Sequence, residues 1–128
     1  MAVQLINPDV FPKPLAAYSY ATRQDNTIYT AGMISLDHDG KIVGEGDIAA
    51  QTRQTLENLK IALEAAGATL QDVTKTTIFL TDFADYKGMN GVYSEYFGAH
   101  PPARSCVRCD LVLPQLLVEI EAIAQVNH

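Results

Sequence analysis

This 128-residue chain lacks most of the features that announce a membrane protein, a metalloprotein or a nucleotide-binding enzyme. No stretch approaches the roughly 18 apolar residues that a membrane-spanning helix needs. The start, Met1-Ala2-Val3-Gln4-Leu5-Ile6-Asn7, has neither a basic segment nor a long apolar one. No secretory signal is read there, and a cytoplasmic location is expected. Lys and Arg number 9 against 15 Asp and Glu, for a net charge of −6 and a pI near 4.8. That shortage of basic residues argues against nucleic acid as a partner, because a basic face supplies most of such affinity. It argues equally against anionic membrane surfaces. The G-x-G-x-x-G and G-x-x-x-x-G-K-[ST] patterns are absent, which excludes the common dinucleotide and phosphate cradles. G-x-S-x-G is absent too, and Ser105 has no visible general base beside it.

Cysteine and histidine are equally scarce. Cys106 and Cys109 form a single C-x-x-C, but their flanks read as strand. Residues three apart on a strand face opposite sides, so neither a bridge nor a shared metal is expected. His38, His100 and His128 are scattered and give no zinc set. Asp37-His38-Asp39-Gly40 opens like a calcium loop, but the glycine comes too early and no glutamate closes it. It reads as a hairpin turn. Neither a metal nor a cofactor is expected.

What is present fits one soluble domain. Hydrophobic residues make up 48% of the chain and charged residues 19%, enough for a real core without staples. Val3 to Ile6 reads as an edge strand, and the proline-rich Asn7 to Pro14 as irregular. Ala17 to Thr22 and Thr27 to Ile34 read as strands around a Gln24-Asp25-Asn26 turn. Ser35 to Asp47 is a loop. Asp47 then caps a helix whose Thr52, Leu56, Leu59, Leu63 and Ala66 recur at helical spacing, and Gly67 ends it. Val73 to Leu80, rich in β-branched residues, is a strand, and Asp82 to Phe97 a second helix. After His100-Pro101-Pro102, Arg104 to Val112 and Leu117 to Val126 close the chain as strands, with Pro114 between them. The order β-β-β-α-β-α-β-β predicts an α+β fold, a single mixed β-sheet with both helices on one face. Its other face stays bare yet carries apolar residues, which points to association in a closed symmetric oligomer.

The densest chemistry lies in Pro102-Ala103-Arg104-Ser105-Cys106-Val107 and in Val118-Glu119-Ile120-Glu121-Ala122-Ile123-Ala124. Arg104, Cys106 and Arg108 share one strand face, and Glu119 and Glu121 share another. If the two strands pair, an arginine and a carboxylate could line one pocket. An arginine fork reads a small carboxylate through parallel hydrogen bonds, and a glutamate can orient or activate water. The plainer reading is an exposed cross-strand ion pair of little energetic weight.

These segments resemble the RidA family, also called YjgF or L-PSP. The likeness runs through Tyr29-Thr30-Ala31-Gly32-Met33-Ile34, Gln51 to Leu59, Leu63 to Gly67 and Lys75 to Asp82, besides the two segments above. The resemblance implies a chorismate-mutase-like homotrimer, its sheets forming a central β-barrel and its sites lying between subunits. It implies hydrolytic deamination of reactive enamines and imines of the 2-aminoacrylate and 2-iminopropanoate type, the activity of a 2-iminobutanoate/2-iminopropanoate deaminase. The substrate would be a small carboxylate-bearing imine. By the same resemblance Arg104 holds that carboxylate and Glu119 orients the water. Tyr18, Cys106, Asn90 and Ala31 line the substrate, Ala31 standing where many relatives have serine. Ala16-Ala17 replaces the Gly-Pro of many family deaminases. Deamination of a larger enamine, a non-catalytic binding trimer and a ribonuclease are the alternatives, the last opposed by the acidic charge.

Overall fold

The computed structural model describes residues 2–127. Met1 and His128, the latter one of the three histidines weighed as metal ligands, lie outside the described residues. Six strands and two main helices follow in the order β1 (Gln4–Ile6), β2 (Ala21–Gln24), β3 (Thr27–Thr30), α1 (Ile48–Ala65), β4 (Val73–Leu80), α2 (Tyr86–Phe97), β5 (Ala103–Arg108) and β6 (Val118–Gln125). They form one mixed sheet in the spatial order β1-β2-β3-β6-β4-β5. Only β4 and β5 pair in parallel. Every other pair is antiparallel. Among the described residues no helix is long and apolar enough to cross a membrane.

The helices form where the pattern asks for them. The Asp47 side chain accepts a hydrogen bond from Ala50 N at 3.1 Å and caps α1. Thr52, Leu56, Leu59, Leu63 and Ala66 all turn inward and are buried. Burial of each large side chain contributes roughly 1.5–3 kcal/mol. Gly67, at φ 93°, takes the left-handed turn that stops the helix. α1 packs on α2 and on the sheet. The core between them gathers Ile28, Ile78, Leu80, Val118 and Ile120 from the strands with Leu56, Leu59, Met89 and Phe97 from the helices. The opposite sheet face exposes Leu5, Tyr29 and Val107.

Several boundaries move from their predicted places. β2 begins at Ala21 rather than Ala17, because the preceding residues bond to loops instead of a strand. Tyr20 N donates to Asn7 Oδ1 and Tyr18 N to Ala16 O. β3 stops at Thr30, and pairing resumes only as a bridge between Met33 and Ile120. The second helix opens with a short 3-10 turn, Phe83–Asp85, before α2 proper. β5 ends at Arg108, so Cys109 already lies in the following loop. Both cysteines are free thiols. Asp37 builds the turn expected of it, its Oδ1 accepting from Asp39 N and Lys41 N at 2.9 Å each.

Candidate active site

The two strands that carry Arg104 and Glu119 are not neighbours, so the pairing on which a pocket shared by both depended does not occur. β4 lies between β5 and β6. Arg104 stands opposite Thr76 and Glu119 opposite Phe79. Thr76 and Phe79 are three apart on one strand and face opposite ways. Arg104 therefore points to the helix side of the sheet and Glu119 to the open side. Neither an ion pair between them nor a pocket lined by both is formed among the described residues. Each instead stands in a group of its own.

The first group is built on α2 and β5. Arg104 Nη2 donates to Asn90 Oδ1 at 2.7 Å and to the Tyr86 hydroxyl at 2.9 Å. The guanidinium carbon lies 4.9 Å from the ring centre of Tyr93 and 5.6 Å from that of Tyr86. Tyr93 is fixed in turn by a buried 2.7 Å hydrogen bond with Thr76. Cys106 follows on the same face, beside Ile78 of β4. Burial pushes its thiol up, and the Arg104 charge pulls it back only in part. A thiol that stays protonated near neutrality is a poor nucleophile.

The second group lines a cavity of about 330 Å³, walled by Tyr18, Tyr20, Ala31, Gly32, Val112 and Glu119 among others. Tyr18 stands 49% exposed at its rim, edge-on to Tyr20 at 6.0 Å between ring centres. The Tyr20 hydroxyl donates to Pro12 O at 2.7 Å and so ties the proline-rich segment to the wall. Asn58, buried on α1, donates to Ile34 O at 3.0 Å and Leu36 O at 2.8 Å, fixing the loop after β3. Burial raises the Glu119 carboxyl above its ordinary pKa, and the nearby charge of Glu121 raises it further. A carboxylate held this way is a stronger base than an exposed one.

Four of the expected residues thus gather in two groups, Arg104 with Asn90 and Glu119 with Tyr18, while Cys106 joins the first and Ala31 the second. Tyr86, Tyr93 and Gly32 were not singled out by sequence reasoning. Tyr86 and Asn90 are four apart on α2, a spacing that sets two polar groups over one neighbour and could have pointed to the tyrosine. Gly32 leaves room for the Glu119 carboxylate: a Cβ there would collide with its Oε2 and lie 2.6 Å from its Cδ. Gly32→Ala is expected to displace that flexible side chain and lower turnover roughly 10–100-fold, with little change in the melting temperature. Steady-state kinetics beside a thermal melt checks it.

The profile of the Endoribonuclease L-PSP family matches residues 9–126. The chain belongs to this family. It is the family, also called RidA or YjgF, whose motifs the sequence resembles. The chain is similar to the L-PSP relative "3-aminoacrylate deaminase RutC" of Acinetobacter baylyi, 48% identical over 126 residues, which are 98% of this chain and 100% of the relative. The crystal structure of yeast YEO7 superposes with a TM-score of 0.92 at 36% identity, covering 98% of this chain and 100% of the other. E. coli TdcF, solved with bound serine, gives 0.87 at 32% identity over 97% and 99% of the two chains.

Proposed function

We propose that the protein hydrolyses short, carboxylate-bearing enamines and imines to the oxo acid and ammonia, at sites shared between the chains of a homotrimer. One observation carries this reading. A fixed arginine fork and a half-buried glutamate in an aromatic-walled cavity lie on opposite faces of one sheet, so each half needs the complementary half of another copy. The exposed apolar residues of the open sheet face, Leu5, Tyr29 and Val107, give the copies a surface on which to meet.

The chemistry follows from the residue types. An enamine gains a proton on carbon and gives one up from nitrogen, becoming an imine, which is electrophilic at carbon. Arg104 holds the substrate carboxylate by its fork. Glu119 of the adjoining copy takes a proton from water as the water oxygen bonds to the imine carbon. Glu119 returns its proton to the nitrogen, the C–N bond breaks as the carbinol oxygen gives up its hydroxyl proton and forms the carbonyl, and that proton completes the departing ammonia. Every step is a proton transfer, or an addition to or expulsion from one carbon, so none calls for a cofactor.

Two three-carbon substrates fit this description. The 2-amino isomer follows from the family motifs. The 3-amino isomer is favoured by the relation to RutC at 48% identity, since that relative is named for it. Serine bound to TdcF is likewise a small carboxylate. Each substrate would be generated in situ and ammonia release followed, and absence of acceleration with both would sink the proposal.

Complementation tests the shared site. Arg104→Ala and Glu119→Gln chains, each inert alone, are expected to regain roughly a quarter of normal activity when refolded together at equal amounts, because mixed trimers hold one intact site each. No recovery in mixtures shown to contain both chains would place the whole site within one chain.

A further inference from the structure

Tyr86 has no part in the proton transfers above, yet it meets Arg104 twice. Its hydroxyl accepts from Nη2, and its ring lies against the guanidinium carbon. Asn90 accepts from the same nitrogen. Tyr93 supplies the nearer aromatic ring, itself anchored through Thr76. Two acceptors on one nitrogen and two ring contacts leave the guanidinium little freedom to turn about its long axis.

Ordinary packing does not account for Tyr86. It stands 41% exposed, whereas Met89, Val92, Tyr93 and Phe97 of the same helix are buried. Its hydroxyl is drawn towards lower pKa by its hydrogen bond with Asn90 and then by Arg104, as befits a phenol oxygen enclosed by donors. An arginine side chain is long and flexible, and fixing it before a ligand arrives spares that loss of freedom at the moment of binding.

We infer that Tyr86 is a positioning residue for carboxylate recognition, its hydroxyl and ring holding the Arg104 fork in the plane that the substrate's carboxylate meets. The inference rests on the reading of Arg104 as the carboxylate's partner. It separates the two oxygens on Nη2 from the catalytic half of the site: Tyr86 governs binding and leaves the water-activating step alone. It also gives α2 a part in substrate selection.

The test compares Tyr86→Phe and Tyr86→Leu with Arg104→Ala. Pyruvate, an unreactive short 2-oxo acid, and its uncharged amide serve as binding probes in calorimetry, beside steady-state kinetics on the aminoacrylates. Tyr86→Phe removes one exposed oxygen and keeps the ring. It is expected to weaken pyruvate binding and raise KM roughly fivefold to tenfold, with kcat unchanged within twofold. Tyr86→Leu should weaken both further, and preference for pyruvate over its amide should shrink in the same order. A merely structural tyrosine would not move that preference. Unchanged KM and preference in Tyr86→Phe, with binding lost in Arg104→Ala, would overturn the role of Tyr86 alone. Tighter pyruvate binding in Tyr86→Phe would also overturn it, because the phenol would then compete with the ligand. Full pyruvate binding by Arg104→Ala would overturn both assignments.

Discussion

Arg104→Ala is expected to lower kcat/KM by roughly 10³-fold while the chains still associate. Among the described residues the side chain makes no ion pair, and its hydrogen bonds end on the part-exposed Asn90 and the exposed Tyr86. Truncation therefore removes a charge from the site without leaving a buried partner orphaned. Lysine is expected to rescue little, since a point charge cannot reproduce two parallel bonds in one plane. Kinetics on both variants, with sedimentation equilibrium to confirm assembly, checks the claim. Undiminished turnover in an assembled Arg104→Ala protein would remove this residue from the site.

Glu119→Gln is expected to lower kcat roughly 10²–10⁴-fold with pyruvate affinity unchanged, because the change removes a base and preserves shape. Wild-type turnover should fall as pH drops through the raised pKa of Glu119, so its acid limb lies above the ordinary carboxylate range. Glu121 contributes to that rise, so Glu121→Gln should shift the limb to lower pH and leave the plateau in place. Stability runs the other way. A carboxyl whose pKa is raised by folding binds its proton more tightly in the folded state, so stability is lost as pH climbs through that pKa. Near neutrality Glu119→Gln should melt higher than the wild type, and below the unfolded-state pKa the difference should vanish. A rate loss in Glu121→Gln larger than in Glu119→Gln would assign the base to the wrong glutamate.

The local structure was legible where one residue pattern decided it. The Asp47 cap, the inward stripe of α1 and the Gly67 stop all follow from neighbours in sequence, and each is found. β2 was not. Ala17 to Tyr20 alternates like a strand, but Tyr20 N is taken by an asparagine thirteen residues away, and the strand that forms is the polar Ala21–Gln24. The order of strands in space was beyond reach as well. Nothing in β5 or β6 tells that β4 comes between them, since that depends on pairing across the whole domain. Candidate site residues could be proposed from motifs, but their division between two faces of the sheet could not be read there. Tyr86 was not picked out, because helical period alone does not distinguish a ring that packs inward from one that reaches across to an arginine.

The place of β5 at the rim of the sheet has a bearing on how the chain survives before it finds its partners. An unpaired strand is a template on which another chain can add and begin an aggregate. This one is short, six residues, with Arg104 near one end and Arg108 at the other, and Pro101-Pro102 precede it. Prolines cannot extend a ladder and cations repel one another across a stacked pair. The arginine proposed to grip a substrate thus also sets a charge on the sheet edge that disfavours edge-to-edge pairing between copies. Its replacement by alanine leaves Ala103 to Val107 without a charge.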